Sequence, residues 1–260
     1  NEYSPVISGL ASSVSMEENQ TAVGTVSASD ADGDTLTYSL SGTDASSLSI
    51  NASSGVITFN TAPDYETKTS YSITVNVNDG TNTTSQALTI NITNVNEFSP
   101  VITSSATFSA AENQTAVGTV TATDADGDSL TYSLSGTDAS SLSIGSSSGV
   151  ITFNSAPDYE NKSSYLITVN VSDGVNTTLQ ALTINVTNLN DNNPAITSSA
   201  TFSAAENQTA VGTVSASDGD ASESLTYSLS GTDASSFSIN SSSGVITFNS
   251  APDYETKTSY

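Results

Sequence analysis

Along the middle of the chain, apolar and polar residues alternate with period two. Leu130, Tyr132 and Leu134 are separated by Thr131 and Ser133, and the same rule runs through Tyr165, Ile167, Val169 and Val171 and then Leu182, Ile184 and Val186. Successive strand side chains point to opposite faces, so this alternation predicts half-buried strands. Strands are expected at 106–110, 116–123, 129–135, 142–144, 149–154, 164–172 and 178–187, with turns at Asp126-Gly127-Asp128, Ser135-Gly136-Thr137 and Asp173-Gly174. No segment repeats apolar residues at i, i+3, i+4 and i+7 over a helix's length. None approaches the roughly 20 apolar residues of a membrane-spanning helix. The expectation is an all-β chain with no direct membrane insertion.

The pattern recurs. Glu18 returns as Glu112 and Glu206, and Asp30 as Asp124 and Asp218, in steps of 94 residues. Asp64, Asp158 and Asp253 are 94 and then 95 apart, the extra residue falling between Asp218 and Leu225. A period this long exceeds the 20–50 residues of solenoid repeats and suits an independently folding sandwich of about 100 residues. The expected repeats are 1–94, 95–188 with its N-terminal linker, and 189–260 with its linker. Tyr260 corresponds to Tyr165, so the third repeat is expected to lack most of its sixth strand and all of its seventh. Because Asn1 to Pro5 matches the interior of a linker (96–100), the chain reads as a window on a longer array. The alternative is a filament subunit completed by a neighbour's strand.

Composition then narrows the chemistry. Against 27 acidic residues stand three lysines (Lys68, Lys162, Lys257), with no arginine, histidine, cysteine or tryptophan, for a net charge of −24. Such a chain repels nucleic acid and anionic lipid. It also lacks the imidazole, thiolate and guanidinium groups that most hydrolytic, zinc and phosphoryl-transfer sites require. Carboxylate chemistry remains, but recurrence of Asp64 and Glu66 in every copy argues against a glycosidase pair, and no enzyme is expected. Cations are the expected partners.

The acids occupy fixed places. They are a Glu before Asn (Glu18, Glu112, Glu206), an Asp-x-Asp pair (Asp30 and Asp32, Asp124 and Asp126, Asp218 and Asp220), an Asp-Tyr-Glu triplet (Asp64 and Glu66, Asp158 and Glu160, Asp253 and Glu255) and, in the first two copies, an Asp-Gly after the sixth strand (Asp79, Asp173). Between copies lie the linkers Asn94-Val95-Asn96-Glu97-Phe98-Ser99-Pro100 and Asn188-Leu189-Asn190-Asp191-Asn192-Asn193-Pro194. Carboxylates gathered with a short Asn/Asp linker suit Ca2+, which takes 6–8 oxygen ligands. The seven carboxylates expected at the first junction (Glu18, Asp64, Glu66, Glu97, Asp124, Asp126, Asp173) would fall from −7 to −1 with three divalent ions. The third aspartate of the loop, Asp34, is expected to serve only a turn.

This set resembles the calcium-binding signature of the cadherin family, and the phrases Ala-Val-Gly-Thr-Val and Ser-Gly-Val-Ile-Thr-Phe-Asn resemble cadherin-like repeats of large bacterial surface, biofilm and fibre proteins. The resemblance implies tandem seven-stranded, immunoglobulin-like Greek-key β-sandwiches arranged as a rod, with calcium between successive domains. Carried over by position, the first junction would use Glu18, Asp64, Glu66, Asn94, Asn96 and Glu97 with Asp124, Asp126 and Asp173. The second would use Glu112, Asp158, Glu160, Asn188, Asn190, Asp191 and Asn192 with Asp218 and Asp220. Asp30, Asp32 and Asp79 would be the downstream half of a preceding site. Asn94 and Asn188 stand where the family has Asp, which lowers ligand charge; Glu97 replaces the linker Asp and Phe98 an Asn.

The expected function is a calcium-rigidified extracellular or cell-surface structural and adhesion array. Its partners would be calcium, neighbouring repeats, like chains and surface glycans. The alternatives are a carbohydrate-binding array, with Tyr65, Tyr159 and Tyr254 as sugar platforms, and homophilic adhesion; without tryptophan, an anchored strand swap is not implied.

Overall fold

The computed structural model of the chain describes residues 2–220 and 224–260. The one-residue insertion between Asp218 and Leu225 falls on 221–223 and lies outside the described residues. Strands and three short 3-10 turns make up the regular structure among them, as the alternation predicts.

The first copy shows how the pattern folds. Its strands are β1 (Val6–Ser8), β2 (Ser13–Glu17), β3 (Ala22–Thr25), β4 (Ser27–Ser29), β5 (Thr37–Ser41), β6 (Leu48–Ile50), β7 (Val56–Phe59), β8 (Ser70–Asn78) and β9 (Thr83–Thr93). One sheet runs β2-β9-β8-β5 and the other β3-β7-β6, while β1 pairs with β4. Strand β2 lies parallel to β9, with Val14 opposite Ile90 and Met16 opposite Ile92. The remaining pairs are antiparallel. Because β8 alternates strictly, Ile73, Val75 and Val77 all face inward at 0 % exposure. They meet Ile57 and Phe59 from the second sheet, and Leu88, Ile90 and Ile92 of β9, in one apolar cluster. Burying such a side chain contributes about 1.5–3 kcal/mol.

Gly55 closes the turn into β7 at φ +68°, where a Cβ would stand 2.5 Å from the Val26 carbonyl. Its own carbonyl accepts the Val26 N–H at 2.9 Å. Only glycine fits that approach.

The second copy repeats the plan, with sheets of four and three strands. Two details depart from the predicted strands. The expected strand 116–123 is two pieces, Ala116–Thr119 and Ala122–Thr123, and a further two-residue strand, Val101–Ile102, opens the copy just after its linker. Period two cannot register strands so short.

In the third copy, Ala210–Thr213, Val245–Phe248 and Phe237–Ile239 form the three-stranded sheet. Residues 201–205 and 224–230 are not in strands. Their counterparts β2 and β5 pair with β9 and β8, and the third copy has only Ser259 and Tyr260 aligned to the start of β8.

The chain divides into two compact units that do not follow the sequence copies. The first contains 1–101, 122–131 and 172–178, and the second 102–121, 132–171 and 179–260. The segments carrying Asp124, Asp126 and Asp173 therefore belong with the first copy and its linker.

Candidate metal centre

Acidic groups gather at a linker in each unit. In the first, Glu18 follows β2 and is 1 % exposed. Its two oxygens accept the backbone N–H groups of Tyr65 (2.7 Å) and Val95 (2.8 Å), fastening the Asp-Tyr-Glu loop and the linker to one carboxylate. The next residue, Asn19, adopts a left-handed φ of 63°. That backbone form suits Asn better than most side chains. From it the Asn19 amide donates to Glu97 Oε2 at 2.5 Å. Glu18, Glu66 and Glu97 thereby present carboxylate oxygens within 4.8 Å of one another. Burial holds Glu66 above the usual glutamate range, and the negative charges of Glu18 and Asp126 push the same way.

The downstream side is the loop 124–128. Asp126 is buried, and its Oδ2 accepts the N–H groups of Glu97 (3.0 Å) and Phe98 (2.7 Å), while its carbonyl accepts from the Asn94 amide (2.9 Å). Asp124 Oδ1 accepts the Asp126 N–H at 3.0 Å and the Asp128 N–H at 3.4 Å. Gly127, at φ +77°, turns the chain between them. Asp124, Asp126 and Asp128 offer oxygens within 4.8 Å of one another. Asp124 Oδ2, Asp126 Oδ1 and Asp128 Oδ2 are buried and accept no hydrogen bond from any described residue. The Asp128 carboxyl is raised by burial and by Asp124, Asp126 and Asp173. In the first copy Asp34 likewise groups with Asp30 and Asp32.

Asp173 caps its own turn, accepting from Val175 and Asn176 backbone N–H at 2.7 and 2.6 Å. Asn176 was not singled out from the sequence, yet its amide reaches Asn96 Oδ1 (3.1 Å) and the Phe98 carbonyl (3.3 Å). Thr178 adds a bond to the Pro100 carbonyl at 2.6 Å. The recurrence of Asn82 and Thr84 at Asn176 and Thr178, in the same 94-residue step, was the available signal.

In the second unit Glu112, 1 % exposed, accepts from Tyr159 N (2.8 Å) and Leu189 N (2.6 Å), and Asn113 donates to Asp191. Glu112, Glu160 and Asp191 form the matching acidic group. A cavity of about 240 Å³ lies against Glu112, Asp158, Glu160, Asp191, Asn192 and Gly219. Asp220 Oδ2 accepts the Asn192 N–H at 2.9 Å, but here Oδ1 is also taken, by the Asn192 amide at 2.9 Å. That amide bond is the first cause holding the Asp220 carboxyl below the usual range.

Other predicted ligands have local partners. Asp64 accepts from Thr67 N–H and Oγ1–H at 3.2 and 2.9 Å. Asp158 accepts the Asn161 N–H at 3.1 Å, and Asp218 the Asp220 N–H at 3.0 Å. Asp32 repeats the role of Asp126, taking Glu2 N–H (2.7 Å) and Tyr3 N–H (2.9 Å), and Asp79 takes Thr81 N–H (2.7 Å). Tyr65 packs on the first core rather than standing clear as a platform.

The donor set is oxygen throughout, crowded with negative charge and furnished with buried lone pairs turned inward. That is a fit for a hard divalent cation.

Sandwich repeats joined by acidic, Asn-rich linkers define the class. The cadherin domain profile matches residues 12–93 and 106–187, more than half of the sequence, and the chain belongs to the cadherin family as tandem cadherin domains. As cadherin domains, these repeats are extracellular or cell-surface domains. Protocadherin-like wing polarity protein stan of Drosophila melanogaster is 34% identical over 264 residues, covering 90% of this chain and 7% of that protein. Chitinase A of Pseudoalteromonas piscicida is 35% identical over 128 residues, covering 49% of this chain and 15% of that one. The crystal structure of mouse cadherin-23 EC22-24 shares the fold at a TM-score of 0.78 and 24% identity, covering 98% of this chain and 90% of that one. The chain spans under a tenth of the length of the first protocadherins it matches. No helix among the described residues is long and apolar enough to cross a membrane.

Proposed function

We propose that this chain is a calcium-binding, calcium-stiffened section of a long adhesive or structural surface protein, organised as repeats 1–94, 95–188 and 189–260. The observation that carries the reading is the cluster of buried, unpartnered carboxylate oxygens beside the first linker. In the first site Glu18, Glu66, Glu97, Asp124 and Asp126, with amide oxygens of the linker, would hold calcium; in the second Glu112, Glu160, Asp191 and Asp220 would. Bound calcium supplies charge neutralisation and multidentate cross-linking. The chain's own part is to hold the loops at 64–66 and 124–128 and the linker on shared anchors, so that ligands from segments far apart in sequence converge. Without a cation those carboxylates repel at short range.

A bacterial adhesin, biofilm or fibre protein is the proposed setting, supported by the phrases quoted above and by the likeness to Chitinase A of Pseudoalteromonas piscicida. Lateral assembly with like chains and binding of surface glycans are the partners this setting implies. No catalytic role is assigned to the section. Small-angle scattering with calcium and then with EDTA tests the mechanism. A maximum dimension that falls or broadens on EDTA is the expected result, and an unchanged one overturns it.

A further inference from the structure

We propose that Asp128 is a direct calcium ligand of the first linker site, added to the ligand set that the repeats otherwise share. This rests on the calcium reading above and names a residue that reading does not require.

The argument is geometric. Two oxygens bound to one calcium at 2.3–2.6 Å stand no more than about 5 Å apart. Asp124, Asp126 and Asp128 each offer an oxygen within 4.8 Å of the others. The centre of that trio is not solvated: Asp126 is only 7 % exposed, and its Oδ1 has no hydrogen-bond partner among the described residues. Asp124 Oδ2 and Asp128 Oδ2 are equally buried and unpartnered. Buried polar atoms are nearly always satisfied, so three bare, buried carboxylate oxygens on one clustered trio of aspartates call for a cation.

The local backbone delivers Asp128 there. Asp124 Oδ1 accepts both following amides, Asp126 N at 3.0 Å and Asp128 N at 3.4 Å, and Gly127 at φ +77° reverses the chain so that the third carboxylate returns to the first two. Asp173 acts electrostatically on Asp128 from the turn after the sixth strand, which adds to the negative field. In this site the extra charge offsets the neutral Asn94 of the linker.

The experiment is calcium titration of the full 260-residue chain by calorimetry and equilibrium dialysis, with calcium alone as the probe. Asp128→Asn is compared with Glu17→Gln, which removes one charge from an exposed side chain outside the cluster. Asp128→Asn is expected to lose one bound ion, or to weaken one class of sites by about tenfold, since ligand charge sets affinity in such sites. Glu17→Gln should leave the titration as in the wild type. Melting in EDTA should place Asp128→Asn no lower than the wild type, because relieving repulsion does not harm the fold. Should that variant melt lower, Asp128→Glu, which keeps the carboxylate, must bind more tightly than Asp128→Asn. Identical titrations for wild type and Asp128→Asn, or for the Glu and Asn variants, overturn the assignment of Asp128 alone. A wild type that binds no calcium overturns the linker reading itself.

Discussion

The two linker sites share an upstream half and differ downstream. Glu18 and Glu112 are equally buried and each gathers two backbone amides from the same relative positions. Downstream, Asp126 leaves Oδ1 unpartnered, whereas Asp220 has Oδ1 bonded by the Asn192 amide at 2.9 Å. The cause is one linker position, Phe98 in the first and Asn192 in the second. A second difference travels with it. Gly219 stands where the first site has Ala125, and a Cβ on Gly219 would lie 3.0 Å from Asn192 Cγ. Glycine makes room for the amide, and the phenylalanine linker, which has none, tolerates alanine. Nearly identical repeats thus divide into one site with a buried aspartate oxygen that no described residue partners and one whose corresponding aspartate oxygen is bonded by its own linker.

The largest effect should come where the halves agree. Glu18→Ala and Glu112→Ala each remove the acceptor of two part-buried amides, at about 1 kcal/mol per donor. Both should lower the urea midpoint by similar amounts in EDTA. A clear inequality would show that the upstream halves are not equivalent after all.

Calcium removal comes next, and here the sites should part. Limited proteolysis in EDTA is expected to cut faster within 94–100 than within 188–194, since Asp126 and Asp128 repel without relief while Asp220 keeps its Asn192 amide. Equal rates would mean that the linker amide contributes nothing.

The sequence carried much of this, unevenly. Strands such as 164–172, and the recurring places of Glu18 and Asp126, were legible because a two-residue period and a 94-residue period each leave a direct mark on the chain. The broken strand after Thr119 was not, because a break of two residues between short strands leaves the alternation unchanged. The inward turn of Asp128 depends on the left-handed Gly127, and a DxDGD string reads equally well as a solvated turn. Asn176 was passed over, and Asn19 was noted only as the neighbour of Glu18, because an Asn in an Asn-rich chain carries little signal until its backbone angle or its partner is known. The coupling of Asn192 to Gly219 joins residues 27 positions apart and needed coordinates.

A linker exchange sharpens the comparison at smaller scale. Phe98→Asn with Ala125→Gly should give Asp126 an internal partner and raise the calcium midpoint of the first site about fivefold, the equivalent of one hydrogen bond of about 1 kcal/mol. Asn192→Phe with Gly219→Ala should lower the second by a similar factor. Calorimetry on each double variant measures both shifts, and midpoints that stay in place would detach the difference between the sites from this pair of positions.

The smallest effect lies away from the linkers, at a clip the copies share. Lys68 pairs with Asp44, which also accepts the Ser72 N–H at 2.8 Å, and Lys162 pairs with Asp138, which accepts the Leu166 N–H at 2.8 Å. The lysine bond, then the backbone amide, holds each carboxyl below its ordinary 3.8. A carboxyl depressed in the fold stabilises it above the unfolded value and loses that contribution as pH falls through the folded one. Glu66 and Glu160 carry the opposite sign, being raised by burial and by neighbouring acids. Their contribution improves as pH falls through the raised value. In EDTA, the melting temperature should therefore first rise on acidification, as linker repulsion is relieved, and then fall below about pH 3.8 as the clips are lost. With lysine side chains 41 and 42% exposed, each clip is worth no more than about 1 kcal/mol. Replacing Asp44 and Asp138 by Asn should shrink the acid fall, to which Asp64, Asp173 and Asp220 also contribute, and leave the earlier rise, which belongs to other carboxylates. If the rise vanished as well, clip and linker would be one coupled system, and the difference between the two sites could not be assigned to the linkers alone.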